Sequence, residues 1–110
     1  IRESQLRILI DECTPHLVKK RLPQFAIKTA QEMGWGGIKN GKLFGLAEGQ
    51  FNVLISTDQN LSHQQNLTGK QLAVIILPSN KVPIVAQLLP AIEQAINIIQ
   101  PGTFFEIPLP

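Results

Sequence analysis

Uninterrupted apolar runs at Ile8-Leu9-Ile10, at Val53-Leu54-Ile55 and from Leu72 to Leu77 govern what this chain folds into. A strand with one wet face alternates apolar and polar residues. A run that is apolar at every position is buried on both faces. Strands of that kind belong to parallel sheets, whose crossover helices cover both sides.

The segments between the runs supply those helices. Leu6 to Ile10 reads as the first strand. Thr14 then Pro15 reads as a helix start, a capping hydroxyl followed by proline at the first helical position. Leu17, Val18, Arg21 and Leu22 follow at helical spacing, and Pro23 stops the helix. Phe25 to Lys28 is a short second strand. Thr29 caps a short helix to Met33, and Gly34-Trp35-Gly36-Gly37 is a turn. A helix over Lys42 to Glu48 turns Leu43, Leu46 and Ala47 inward, with Gly49 as its C-cap. The third strand is Asn52 to Thr57 and the fourth Leu72 to Leu77, joined by the polar loop Gln59 to Asn66. A helix from Val82 to Ile99 carries the stripe Val82, Val85, Ala86, Leu89, Ile96 and Ile99. Pro83 suits its first turn, and Pro90 is expected to kink it. Thr103 to Ile107 is an edge strand. The pattern predicts an α/β fold of three layers around a mostly parallel sheet of four or five strands.

At 110 residues, 44% of them hydrophobic and 16% charged, the expectation is one domain over residues 1–110. A net charge of +2 permits nucleic-acid binding without arguing for it. The tight basic cluster, Lys19-Lys20-Arg21, reads as a solvated helix face. The single cysteine, Cys13, excludes a disulfide framework within the chain and suggests a reducing, cytoplasmic setting. No apolar run reaches the length of a membrane span, and no secretory signal is read. In that setting the tripeptides starting at Asn60 and Asn66 carry no glycosylation meaning.

The chain has eight acidic residues. Asp11 and Glu12 directly follow the first apolar run, and Asp58 follows the third strand. Ligands of open parallel sheets bind beyond the carboxyl ends of the strands. Convergent carboxylates repel one another unless a cation neutralises them. A hard cation such as Mg²⁺ suits an all-oxygen set, and two such ions can activate water in phosphodiester hydrolysis. The competing account is that Asp11, Glu12 and Asp58 cap the turns that follow them. The hydroxyls and amides of Ser56 to Asn66 suit phosphate and sugar oxygens, or else a hydrated loop. His63 is a proton donor or simply solvated, and His16 is structural. Lys39 and Lys42 flank Asn40-Gly41 and suit a phosphate backbone. Trp35 plugs the edge of the core in preference to stacking on a base. Cys13 reads as a small buried residue.

Three segments carry a resemblance: Leu9-Ile10-Asp11-Glu12-Cys13-Thr14-Pro15, Glu32 to Gly41 through Gly34-Trp35-Gly36-Gly37, and Leu54-Ile55-Ser56-Thr57-Asp58-Gln59-Asn60-Leu61. Together they resemble a family of small PIN-like proteins, predicted toxin nucleases of bacterial toxin–antitoxin modules. The resemblance implies a PIN-like fold and a Mg²⁺- or Mn²⁺-dependent endoribonuclease with RNA as substrate and an antitoxin protein as partner. It makes Asp11 and Asp58 the metal carboxylates, with Glu12 on the metal or beside it. Thr57 and Asn60 would support metal or phosphate. Asn40 stands where the family often has aspartate. That exchange, and the shortage of acids, favour as an alternative a catalytically weak module that binds RNA or protein. A homodimer through the edge strand is a further expectation. A phosphoacceptor receiver domain shares the acidic pair and the later aspartate, with Ser79 as its switch hydroxyl. It needs a lysine after the fifth strand, where this chain has Phe105-Glu106-Ile107-Pro108.

Overall fold

The computed structural model describes residues 6–61 and 66–110. Five strands form one sheet: β1 (Arg7–Ile10), β2 (Ala26–Thr29), β3 (Val53–Ser56), β4 (Ala73–Ile76) and β5 (Phe104–Glu106). Their order is β2-β1-β3-β4-β5, and every neighbouring pair is parallel. The expectation from the apolar runs holds. β3 and β4 are buried at every position, and β1 at all but Arg7.

Three helices cover the sheet among the described residues: α1 (Leu17–Arg21), α2 (Asn40–Ala47) and α3 (Val82–Ile98). Side chains alternate between faces along each strand, and the core divides accordingly. Ile8, Ile10, Val53, Ile55 and Ile75 pack with Val18 of α1 and with the α3 residues Val85, Leu88, Leu89 and Ile92. Leu9, Leu54, Val74 and Ile76 pack on the other face with Leu43, Phe44 and Ala47 of α2 and with Leu61, Leu67 and Leu72 of the β3–β4 connection. The result is a three-layer, Rossmann-like α/β architecture.

The order creates one switch point. From β1 the chain leaves through α1 over one face. From its neighbour β3 it leaves over the opposite face. The two connections part, and a crevice opens beyond the carboxyl ends of β1 and β3.

Some local expectations change. Thr14 does not cap α1, which begins at Leu17 with His16 at its N-cap and no side-chain capping bond, because the Thr14 hydroxyl is drawn to Asp11. The short helix after Thr29 is a single turn. Thr29 N–H donates to Glu32 Oε1 (2.9 Å) and Glu32 N–H to Thr29 Oγ1 (3.0 Å), a reciprocal capping pair. Gly34, at φ 77°, ends it there. In α2 the aromatic Phe44 takes the buried place expected of Leu46, which is half-buried. In α3 burial follows Val85, Leu88, Leu89, Ile92, Ala95 and Ile96. Ala86 falls out of phase and is exposed. Val82, in phase but at the first helical residue, is 56% exposed. The helix continues through Pro90 as one element. β5 lies at the edge beside β4, as expected. Trp35 packs against the second core and meets Phe51 edge-on, ring centroids 6.2 Å apart.

Glu32 also receives Lys19 Nζ of α1, at 2.5 Å. This bond, with those from the Thr29 turn, lowers its carboxyl from 4.5 to about 2. The folded value lies below the unfolded one. The contribution is therefore complete above about pH 4.5 and lost as the pH falls through about 2. Glu32→Gln should be less stable than wild type at neutral pH, and the gap should close across that acid window. Urea midpoints against pH measure it. The exposed side chains of this pair keep the effect small.

Candidate functional site

The register sets the site. Ile10 pairs with Ile55 across β1 and β3, so Asp11 stands level with Ser56, and Asp11 N–H continues the ladder to Ile55 O at 3.2 Å. Asp11 is only 2% exposed, and hydrogen bonds compensate its burial. Its Oδ1 accepts from Thr14 N–H (2.9 Å) and Thr14 Oγ1 (2.6 Å). Its Oδ2 accepts from Ser56 Oγ at 2.6 Å. Ser56 Oγ in turn accepts from Asp58 N–H at 3.0 Å. One buried hydroxyl thus links the two strand ends.

Asp58 is half-buried. Its Oδ1 accepts Asn60 N–H at 2.9 Å, closing a local turn. Its Oδ2 accepts Asn40 Nδ2 at 3.1 Å, which ties the start of α2 to the end of β3. Glu12 is exposed, and its Oε2 accepts Gly37 N–H at 3.1 Å. The positive φ of Gly37, 80°, lets the turn present that amide; a side chain there would strain it.

Asp11, Glu12 and Asp58 line a single cavity of about 690 Å³ together with Lys39, Asn40 and Lys42. Thr57 and Asn60 lie beside Asp58 without lining that cavity. Gln59 anchors the segment by donating its Nε2 to Leu77 O and to Thr57 O. His63 falls outside the described residues.

The capping account of the acids is realised: Asp11 and Asp58 each bond an amide that follows. It does not exhaust them. A carboxylate accepts at about four lone-pair positions. With partners among the described residues counted, Asp11 uses three of these, Asp58 two and Glu12 one. Among the described residues none of the three pairs with a lysine, arginine or histidine. Their charge is felt at Cys13, which is exposed rather than buried and lines the same cavity. Partial desolvation, then the charges of Asp11, Glu12 and Asp58, hold its thiol above the usual cysteine range. Such a thiol stays protonated and makes a poor nucleophile.

The free donor positions are carboxylate oxygens, the chemistry of a hard divalent cation. Among the described residues no three or more His, Cys, Asp or Glu side chains stand assembled around one point as a cage. The set suits a weakly held ion that keeps most of its water.

Sequence reasoning read Ser56 as a hydroxyl for phosphate or a hydrated loop and missed its buried bond to Asp11, as it missed the true role of Thr14. The available signal for Ser56 was a hydroxyl closing an otherwise apolar buried strand, level with the acid of the neighbouring one.

No helix among the described residues is long and apolar enough to cross a membrane. Comparison of the chain with protein-family models, with curated proteins and with solved structures finds no match.

Proposed function

We propose that this protein is a PIN-like, Mg²⁺- or Mn²⁺-dependent endoribonuclease, the cytoplasmic toxin of a toxin–antitoxin pair. One observation carries the nuclease reading: three carboxylates from two adjacent strand ends, none with a basic partner among the described residues, meet in one cavity at the switch point of a parallel sheet. A cavity of this volume falls in the range of small-ligand sites.

Asp58, Glu12 and the remaining lone pair of Asp11 would hold the cation. The ion supplies Lewis acidity toward phosphate oxygens and activation of water. The protein's own contribution is placement. Ser56 and Thr14 fix the Asp11 carboxylate, and Asn40 and Asn60 N–H orient Asp58. Lys39 and Lys42, on the α2 side of the cavity, face the acids and attract flanking RNA phosphates. The toxin assignment rests on the resemblance of the three segments. The antitoxin, or a second copy, would dock at the β5 side of the sheet.

The amide at Asn40, and the lack of an assembled cage among the described residues, favour a second reading, an RNA- or protein-binding module of the same shape. The strand order is also that of receiver-type sheets. However, Ile107-Pro108-Leu109-Pro110 follows β5 without a lysine.

The test is incubation of single-stranded RNA with the protein and Mn²⁺. Internal cuts that vanish with chelator are expected. Intact RNA in the presence of bound Mn²⁺ would leave the binding module as the better account.

A further inference from the structure

Asn40-Gly41 is the only Asn-Gly pair in the chain, and it stands where a change from amide to acid would alter the cavity most. Asn40 is the first residue of α2 and lines the cavity. Its Nδ2 donates to Asp58 Oδ2. Gly41 has no Cβ to shield its nitrogen from the Asn40 side chain. The Gly41 N–H lies in the first helical turn, where amides lack an intrahelical partner. It has no acceptor among the described residues. The turn is also uncapped: Lys39 makes no side-chain bond to it, and it contains no acid. Uncapped ends fray, and an Asn40 backbone released from the helix can rotate to bring the Gly41 nitrogen against Asn40 Cγ.

We propose that Asn40 is a self-modification site, whose deamidation adds a fourth carboxylate to Asp11, Glu12 and Asp58 and so raises the cavity's affinity for a divalent cation. The Gly41 nitrogen gives its proton to solvent base and attacks Asn40 Cγ. The Cγ–Nδ2 bond breaks, and the nitrogen leaves as ammonia after taking up a proton. A cyclic imide remains. Water opens it at Cγ to give aspartate, or at the backbone carbonyl to give isoaspartate, with Cγ in the main chain. One water is consumed and one ammonia released, with no oxidant or reductant.

The consequence follows from the contact with Asp58. An amide donor becomes a second negative acceptor, and the bond to Oδ2 is lost. Two facing carboxylates are relieved by a cation between them, and ligand charge count tunes hard-cation affinity. The cation half of the proposal rests on the metal reading of the cavity; the deamidation does not.

The experiment incubates the full chain at mildly alkaline pH and maps conversion at every asparagine by peptide mass spectrometry. Gly41→Ala, a favourable exchange in a helix, is run in parallel. Calorimetry then compares Mn²⁺ binding by wild type and by Asn40→Asp. Asn40 is expected to convert fastest, and in Gly41→Ala to slow to the rate of the other asparagines. Asn40→Asp is expected to bind Mn²⁺ on the order of tenfold more tightly. Conversion at Asn40 no faster than at Asn52, Asn80 or Asn97 would overturn the modification site. Unchanged Mn²⁺ affinity would overturn the gain in binding. No RNA enters either measurement, so a protein that cuts no RNA still decides both.

Discussion

Asp11→Ala should cost about 2–4 kcal/mol of stability, the largest loss expected from any single change at the site. Asp11 accepts from Thr14 N–H, Thr14 Oγ1 and Ser56 Oγ, and all three residues are buried. Removing the carboxylate takes an acceptor from each of these donors. The Thr14 hydroxyl retains Ile55 O as an alternative acceptor, at 3.2 Å. Thr14 N–H retains the backbone carbonyl of residue 11, at 3.2 Å, so the Ser56 proton is the donor left without a replacement, at about 1–3 kcal/mol. Asp11→Asn keeps one oxygen for Thr14 and turns its amide toward Ser56 Oγ, which can accept. Its loss should be smaller, about 1–2 kcal/mol. Urea unfolding of the three proteins measures the series. Wild-type stability in Asp11→Ala would mean that the strand end is not held by these bonds. The practical consequence is that loss of function at position 11 mixes chemistry with folding.

Asp58→Asn separates the two. Asp58 is half-buried and holds two hydrogen bonds through its side chain. An asparagine oxygen can still accept Asn60 N–H. The new amide meets the Asn40 side chain, which can rotate to offer its own oxygen. Stability should therefore change by no more than about 1 kcal/mol. The charge is gone, however, and with it a principal ligand of the proposed cation. RNA cleavage should fall by at least on the order of a hundredfold, the upper cost of losing a mere supporting partner of a metal ligand. Cleavage assays and urea midpoints on the same preparation decide it. Full cleavage by Asp58→Asn would remove Asp58 from the reaction.

The fold was legible where burial is two-sided. Ile8-Leu9-Ile10, Val53-Leu54-Ile55 and Leu72 to Leu77 have no polar face, and a parallel central sheet is what remains. The helix phases were less so. Val82 and Ala86 read as part of the apolar stripe of α3, but Val82 stands exposed at the helix start and Ala86 falls out of phase with the buried Leu88 and Ile92. At the site, the acids after β1 and β3 were visible as residues. Their meeting was not, because it depends on β1 and β3 being neighbours in the order β2-β1-β3-β4-β5. Alternating strands and helices are compatible with several such orders. Thr14 was misread because a hydroxyl before proline is a strong helix signal. Here a buried carboxylate three residues earlier claims that hydroxyl. Cys13 was misread for a related reason: small apolar residues beside a core strand are usually buried, but this one lies past the strand end on the wall of the cavity.

The central claim is that the carboxylates of this cavity hold a divalent cation, and calorimetric titration of Mn²⁺ into wild type and Asp58→Asn tests it most directly. Weak binding by wild type, lost in Asp58→Asn while the variant stays folded, is the predicted result. Equal binding by the two proteins, or no binding by wild type, would contradict it.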